Sequence, residues 1–101
     1  MSLNIEKKVG EEICIILTGR LDTSSSPDLE KEFERLVPLK MPMTVDMKGL
    51  DYISSAGLRV ILITQKNVNA NGTTLKFINV NDIIMDIFEM TGFVDILTIE
   101  R

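Results

Sequence analysis

Two hydrophobic rhythms alternate along this chain: short runs that are nearly continuous or alternate with polar residues, and longer stretches with apolar residues every three or four positions. Leu3 to Val9 predicts a first strand, closed by the turn Gly10-Glu11-Glu12. Ile13-Cys14-Ile15-Ile16-Leu17-Thr18 follows at hairpin distance, and its unbroken apolar character predicts a strand buried on both faces. Gly19 and Asp22 then mark a loop. Ser24-Ser25-Ser26-Pro27-Asp28 signals a helix start: Ser26 caps, Pro27 takes the first helical position, and Asp28 and Glu30 favour the positive end. This helix buries Leu29, Phe33, Leu36 and Val37, and Pro38 ends it.

Met43 to Met47 predicts a third strand at the sheet centre, with Lys48-Gly49-Leu50-Asp51 leading away from it. A second helix starts at Ser54 or Ser55, runs to about Asn69 and stops at Asn71-Gly72. Its core stripe is Leu58, Ile61, Leu62, Gln65 and Val68, in which Gln65 is out of place. Ala56, Val60 and Ile63 fall opposite that stripe; they either face outward as an apolar patch or, for Val60 and Ile63, pack beside a neighbouring helix. Thr74 to Ile78 predicts a fourth strand. Asn79 or Asn81 caps a third helix that buries Ile84, Ile87 and Phe88, with Ile83 beside them. Gly92 closes it, with Phe93 available for the contact that follows such a stop. Ile96 to Ile99 reads as a short edge strand. After the hairpin, strands and helices alternate, which predicts an α/β domain over residues 1–101 with a mixed, mostly parallel sheet in the order β-β-α-β-α-β-α-β.

Composition narrows the chemistry. The chain has 101 residues and a net charge of −4, which disfavours nucleic acid and anionic membrane as direct partners. No apolar run reaches the length of a membrane span, and the start, Met1-Ser2-Leu3-Asn4, lacks the regions of a signal peptide, so a cytoplasmic location is expected. Histidine is absent, which removes His-based triads, His-ligated metals and His acid–base catalysis. One cysteine, Cys14, provides neither an internal disulfide nor a thiolate zinc site. The glycines are too scattered for a phosphate-cradling loop. A non-enzymatic protein without cofactor or metal, monomeric by default, is the expectation. The acidic face of the first helix, with Glu30, Glu32 and Glu34 beside Lys31 and Arg35, reads as solvated surface.

The most informative stretch is Leu50-Asp51-Tyr52-Ile53-Ser54-Ser55-Ala56-Gly57-Leu58-Arg59. It places two adjacent serines at a helix start, on a loop leaving a strand. Unpaired N–H groups and the helix dipole favour a phosphate there. Read plainly, the serines are an N-cap and a first-turn residue. The loop Asp22-Thr23-Ser24-Ser25 follows another strand end and is expected beside them, although Asp22 also suits a simple turn brace. Asp46 is either buried and hydrogen-bonded or at a strand end near this loop.

Leu17-Thr18-Gly19-Arg20-Leu21-Asp22, Val45-Asp46-Met47, Ser54-Ser55-Ala56-Gly57-Leu58, Gly72, Phe77 and Phe88-Glu89-Met90-Thr91-Gly92 together resemble, in order and spacing, the STAS domain of anti-sigma factor antagonists. The resemblance covers nearly the whole chain and implies helices mainly on one sheet face. It implies a partner switch: the unphosphorylated protein binds an anti-sigma factor that is also an ATP-dependent serine kinase, a sigma factor is released, phosphorylation ends the complex and a phosphatase resets it. Aligned on Gly57, the phosphoacceptor falls on Ser55. The partner surface implied there comprises Asp22, Thr23, Ser24, Ser54, Ser55, Ala56, Gly57, Arg59, Val60 and Ile63. Ser54 stands where the family usually carries Asp, and Arg59 where Gly is frequent. An alternative function is a constitutive scaffold or adaptor subunit of a signalling or lipid-transport assembly, without phospho-switching. An enzyme or nucleotide sensor is a third class, for which no motif here calls.

Overall fold

The computed structural model describes residues 3–100; Met1, Ser2 and Arg101 of the expected 1–101 span lie outside the described residues. Among the described residues the elements are β1 (Leu3–Val9), β2 (Ile13–Leu21), α1 (Ser26–Leu36), β3 (Met43–Ile53), α2 (Ser55–Ala70), β4 (Leu75–Ile78), α3 (Asp82–Thr91) and β5 (Thr98–Glu100). The sheet order is β1-β2-β3-β4-β5, with β1 antiparallel to β2 and every later pair parallel. Each parallel crossover therefore steps one strand in the same direction. Crossovers share one hand, so their helices arrive on one face of the sheet.

The burial pattern follows this layering. Ile13, Ile15 and Leu17 of β2, Met43, Val45 and Met47 of β3, and Leu75 and Phe77 of β4 are buried in one cluster with Leu29, Phe33, Ile61, Val68, Ile84 and Phe88 from the helices. The alternate positions Cys14, Ile16, Thr44, Asp46, Lys76 and Ile78 are half-buried on the other face. This corrects the expectation that β2 is buried on both faces. Its apolar run feeds a helix-covered face and an open one, where neighbouring side chains give partial cover. Phe88 joins the layers, edge-on to Phe77 at 6.5 Å and stacked with Phe93 at 6.3 Å.

Two strands run further than the hydrophobic pattern indicates. β2 continues through Gly19 to Leu21 and β3 through Gly49 to Ile53. Their pairing is irregular between Ile16 and Thr18 and again between Gly19 and Arg20. Gly19 has φ +106, and a Cβ on Gly49 would lie 3.0 Å from Thr18 Oγ1. The glycines mark bulges in a ladder that continues, not the loop and exit expected of them.

Helix ends follow the local chemistry with one exception. Asn81, not Asn79, caps α3: its Oδ1 accepts the Ile84 amide at 3.0 Å, while its Nδ2 donates to the Leu50 carbonyl at 2.8 Å. Gly72 and Gly92 take the left-handed conformation after α2 and α3. At α1 the residue before the helix is Ser25, and no side chain caps it. Ser26, expected to cap, is the first helical residue, and its hydroxyl donates to the Asp22 carbonyl at 2.5 Å. The final strand begins at Thr98, because Phe93–Asp95 forms a short 3-10 turn. In α2, Leu58 and Leu62 of the expected stripe are half-buried, while Gly57, Val60, Ile61, Thr64, Gln65 and Val68 are buried.

Candidate functional site: the Asp22 loop and the start of α2

The site forms where two parallel strands end side by side. Arg20 pairs with Tyr52 and Leu21 with Ile53, after which both chains turn off the sheet. The Ser54 amide donates to the Leu21 carbonyl at 2.8 Å, which stitches the two exits together. Gly57 completes the seam. A Cβ there would lie 2.7 Å from Leu21 Cγ and 3.1 Å from the Leu21 carbonyl oxygen, so α2 sits against β2 at a distance that admits no side chain.

Ser54 is extended, with φ −87 and ψ 171, and its Oγ accepts the Gly57 amide at 3.2 Å. This is N-cap geometry, for which serine and aspartate are about equally suited, so Ser54 does the local capping work that the more usual Asp would do. Ser55 is the first residue of α2 and is exposed. Its hydroxyl has no hydrogen-bond partner among the described residues. It projects at the end of a helix whose first amides are unpaired by the helix itself. Arg59, also exposed, lies one turn further along the same face.

The Asp22 loop is held from within. The Asp22 carboxylate accepts from the Ser24 hydroxyl at 2.8 Å and from the Ser24 and Ser25 amides at 3.0 Å, with the Ser25 hydroxyl oxygen 3.2 Å away. The Ser24 hydroxyl and then the Ser25 amide hold this carboxyl below the usual carboxylate range, with desolvation opposing them. Ser25 is buried; its hydroxyl donates to the Arg20 carbonyl at 2.8 Å and accepts the Asp22 amide at 2.9 Å. Thr23 and Ser24 remain exposed at the tip.

Of the expected surface, Asp22, Thr23, Ser24, Ser54 and Ser55 therefore gather at one end of the sheet. Ala56 is half-buried and Gly57 is buried in the seam. Of the two placements open to Val60, outward-facing or beside a neighbouring helix, it takes the second: it is 5% exposed and turned toward α1, where it lines a groove with Phe33. Ile63 is 41% exposed on the rim of that groove. Asp46 is neither buried nor at the strand end: it is half-buried in mid-β3, accepting from the Lys48 amide at 3.0 Å and Asn79 Nδ2 at 3.1 Å.

Two residues beside the site were not singled out from sequence. The Arg20 guanidinium lies 4.4 Å from the Tyr52 ring centre, and Arg20 Nε is 3.9 Å from Asp22 Oδ2. The cue was parallel register, which brings the last residues of two neighbouring strands together. Among the described residues no group of three Cys, Asp or Glu side chains could hold a metal ion. No helix among them is long and apolar enough to cross a membrane.

Comparison with known proteins agrees with this architecture. The STAS domain profile matches residues 4–101, and the chain belongs to that family. The anti-sigma-B factor antagonist of Bacillus subtilis (strain 168) is 33% identical over 103 residues, covering 98% of this chain and 92% of its own. An anti-sigma factor antagonist from Mycobacterium paratuberculosis superposes with a TM-score of 0.88 at 15% identity, over 98% of this chain and 86% of its own. The Bacillus cell fate determinant SpoIIAA in its phosphorylated form superposes with a TM-score of 0.73 at 15% identity, over 96% and 89% of the two chains. At these identities the solved structures establish the shared fold.

Proposed function

We propose that this chain is an anti-sigma factor antagonist whose binding is switched at Ser55. With a free hydroxyl it binds an anti-sigma factor that is also an ATP-dependent serine kinase, and a sigma factor is released. Transfer of the ATP γ-phosphoryl group to Ser55 Oγ ends the complex, and a phosphatase hydrolyses the ester to reset it. The chain contributes a binding surface and an acceptor hydroxyl, and no catalysis of its own. The reading implies a cytoplasmic monomer that exchanges partners.

The observation that carries the proposal is the state of Ser55: an exposed, uncommitted hydroxyl on the first residue of a sixteen-residue helix, beside the Asp22 loop. A phosphate there meets the positive end of the helix dipole and is tolerated by the fold. The switch therefore acts on the partner surface. Adding about −1.5 to −2 charges to an interface centre costs desolvation, with like-charge repulsion wherever the partner presents a carboxylate. Family membership and the names of the relatives support the same class of function.

The test is phosphorylation in native lysate with ATP, resolved on a phosphate-affinity gel, with Ser55→Ala alongside and mass spectrometry to locate the site. The expected result is an ATP-dependent mobility shift that disappears in Ser55→Ala. Absence of the shift in a lysate with demonstrably active kinases overturns the switch. It would favour the constitutive scaffold, a reading to which the neutral Ser54 beside the acceptor lends itself.

A further inference from the structure

The groove between α1 and α2 takes in Val60 and Ile63 of the expected partner surface but none of Asp22, Thr23, Ser24, Ser54 or Ser55. Phe33 and Val60 form its buried floor, with Val37 alongside; Ile63 edges it on α2, and Glu30 and Glu34 edge it on α1. It encloses about 330 Å³ and no cationic side chain lines it. The Thr64 hydroxyl, also in the lining, donates to the Val60 carbonyl at 2.8 Å, so the floor is effectively apolar.

The acidic rim is uncompensated. Among the described residues the ion pairs of α1 run through Glu32, to Lys7 at 2.6 Å and Arg35 at 3.7 Å, and neither Glu30 nor Glu34 joins one. These two are one turn apart on the same face, a like-charge arrangement that works against the helix in isolation. On α2 the lining extends from Val60 to Asn67, two turns or roughly 10 Å. A groove of this length between two helices suits a third helix with anchors at i, i+4 and i+7.

We infer that the α1–α2 groove docks an amphipathic helix of a partner protein. The helix carries bulky apolar anchors at that spacing and Lys or Arg along the flank facing Glu30 and Glu34. The inference is independent of phosphorylation at Ser55. The α3 surface of a second copy does not fit the groove: its exposed Ile83 and Met90 run beside Asp86 and Glu89 with no Lys or Arg on that helix. That docking would bring carboxylates against carboxylates.

The probe is a pair of helix-stapled peptides of about 18 residues, with Leu at i, i+4 and i+7 and either Lys or Glu along one flank. Each is titrated into the full chain and followed by amide chemical shifts. The Lys peptide is expected to bind and to shift the amides of Phe33, Val60, Ile63 and Thr64, with the Glu peptide at least about tenfold weaker. Glu30→Lys with Glu34→Lys should exchange the preference, and Ile63→Ser, a rim change that spares the core, should weaken the Lys peptide. The inference is overturned if the Lys peptide fails to bind up to about 1 mM, if both peptides bind the wild type equally, or if the shifts centre outside the groove.

Discussion

Asp22 organises its loop through a carboxylate that takes hydrogen bonds from Ser24 and Ser25 at once. Those bonds favour the charged form, so the folded pKa lies below the ordinary value. For a lowered carboxylate, the stabilising contribution is complete above the unfolded value of about 3.9 and is lost as pH falls through the folded value. The loop should therefore stay ordered through neutral and mildly acid pH and loosen only below the ordinary carboxylate range. Following the Ser24 and Ser25 amide shifts down to acid pH checks this: the wild type titrates late, and Asp22→Asn shows no such step. Titration of the wild type at the ordinary value would contradict the hydrogen-bond account. At this scale the sequence was informative about chemistry and silent about partners. The Asp-Thr-Ser-Ser string showed a turn brace, and Ser54-Ser55 showed a cap followed by a first-turn hydroxyl. The Arg20–Tyr52 stack needed the register of two strands far apart in sequence. Gln65 stayed out of place: it is buried, its Nε2 reaches Asn69 Oδ1 at 3.0 Å, and its Oε1 has no partner among the described residues.

The position of α2 depends on one missing side chain. Leu21 is fully buried and cannot swing away from a Cβ at residue 57, which would lie 2.7 Å from its Cγ. Gly57→Ala should therefore cost about 1–3 kcal/mol as an overpacking change, with each kcal/mol lowering Tm by roughly 4–8 °C. It should also move the Ser54–Leu21 seam, visible as shifted amides in the Asp22 loop. Gly10→Ala, where nothing lies within 4 Å of the added carbon, is the control and should be near neutral. A Gly57→Ala protein as stable as wild type would mean that the seam has slack that these contacts do not provide. Elements were legible wherever periodicity was strong, as in all three helices and the strand cores. Their ends were less so, for a definite reason: Gly19 and Gly49 break the apolar pattern, yet both sit in bulges that let the β2–β3 ladder run on to the site. Val60 was left between two placements because its face of α2 is opposite the sheet-facing stripe but against α1, and one helix's periodicity cannot say where the next helix lies.

At the scale of the whole molecule, the helices cover one sheet face and the Ser55 end of α2 projects from its edge, so a charge added there meets solvent before it meets the core. Phosphorylation would take the net charge from −4 to about −6. Two effects of that phosphate on the isolated chain oppose each other. The helix dipole gains about 0.3–1 kcal/mol from an anion at its N-terminus. The extra self-repulsion in an already acidic protein takes some of this back, and salt screens it. The net effect on folding should be within about 1 kcal/mol, with Tm displaced by no more than roughly 8 °C and the far-ultraviolet circular dichroism unchanged. Partner binding should instead fall by orders of magnitude, because there the dianion loses its water. Measuring Tm and affinity for the purified kinase on the same phosphorylated sample, with Ser55→Asp beside it, separates the two. A large loss of Tm would mean that the switch works by loosening α2. An unchanged affinity in both samples would mean that Ser55 lies outside the contact. Loss of binding with the fold retained is the outcome for which this placement of Ser55 argues.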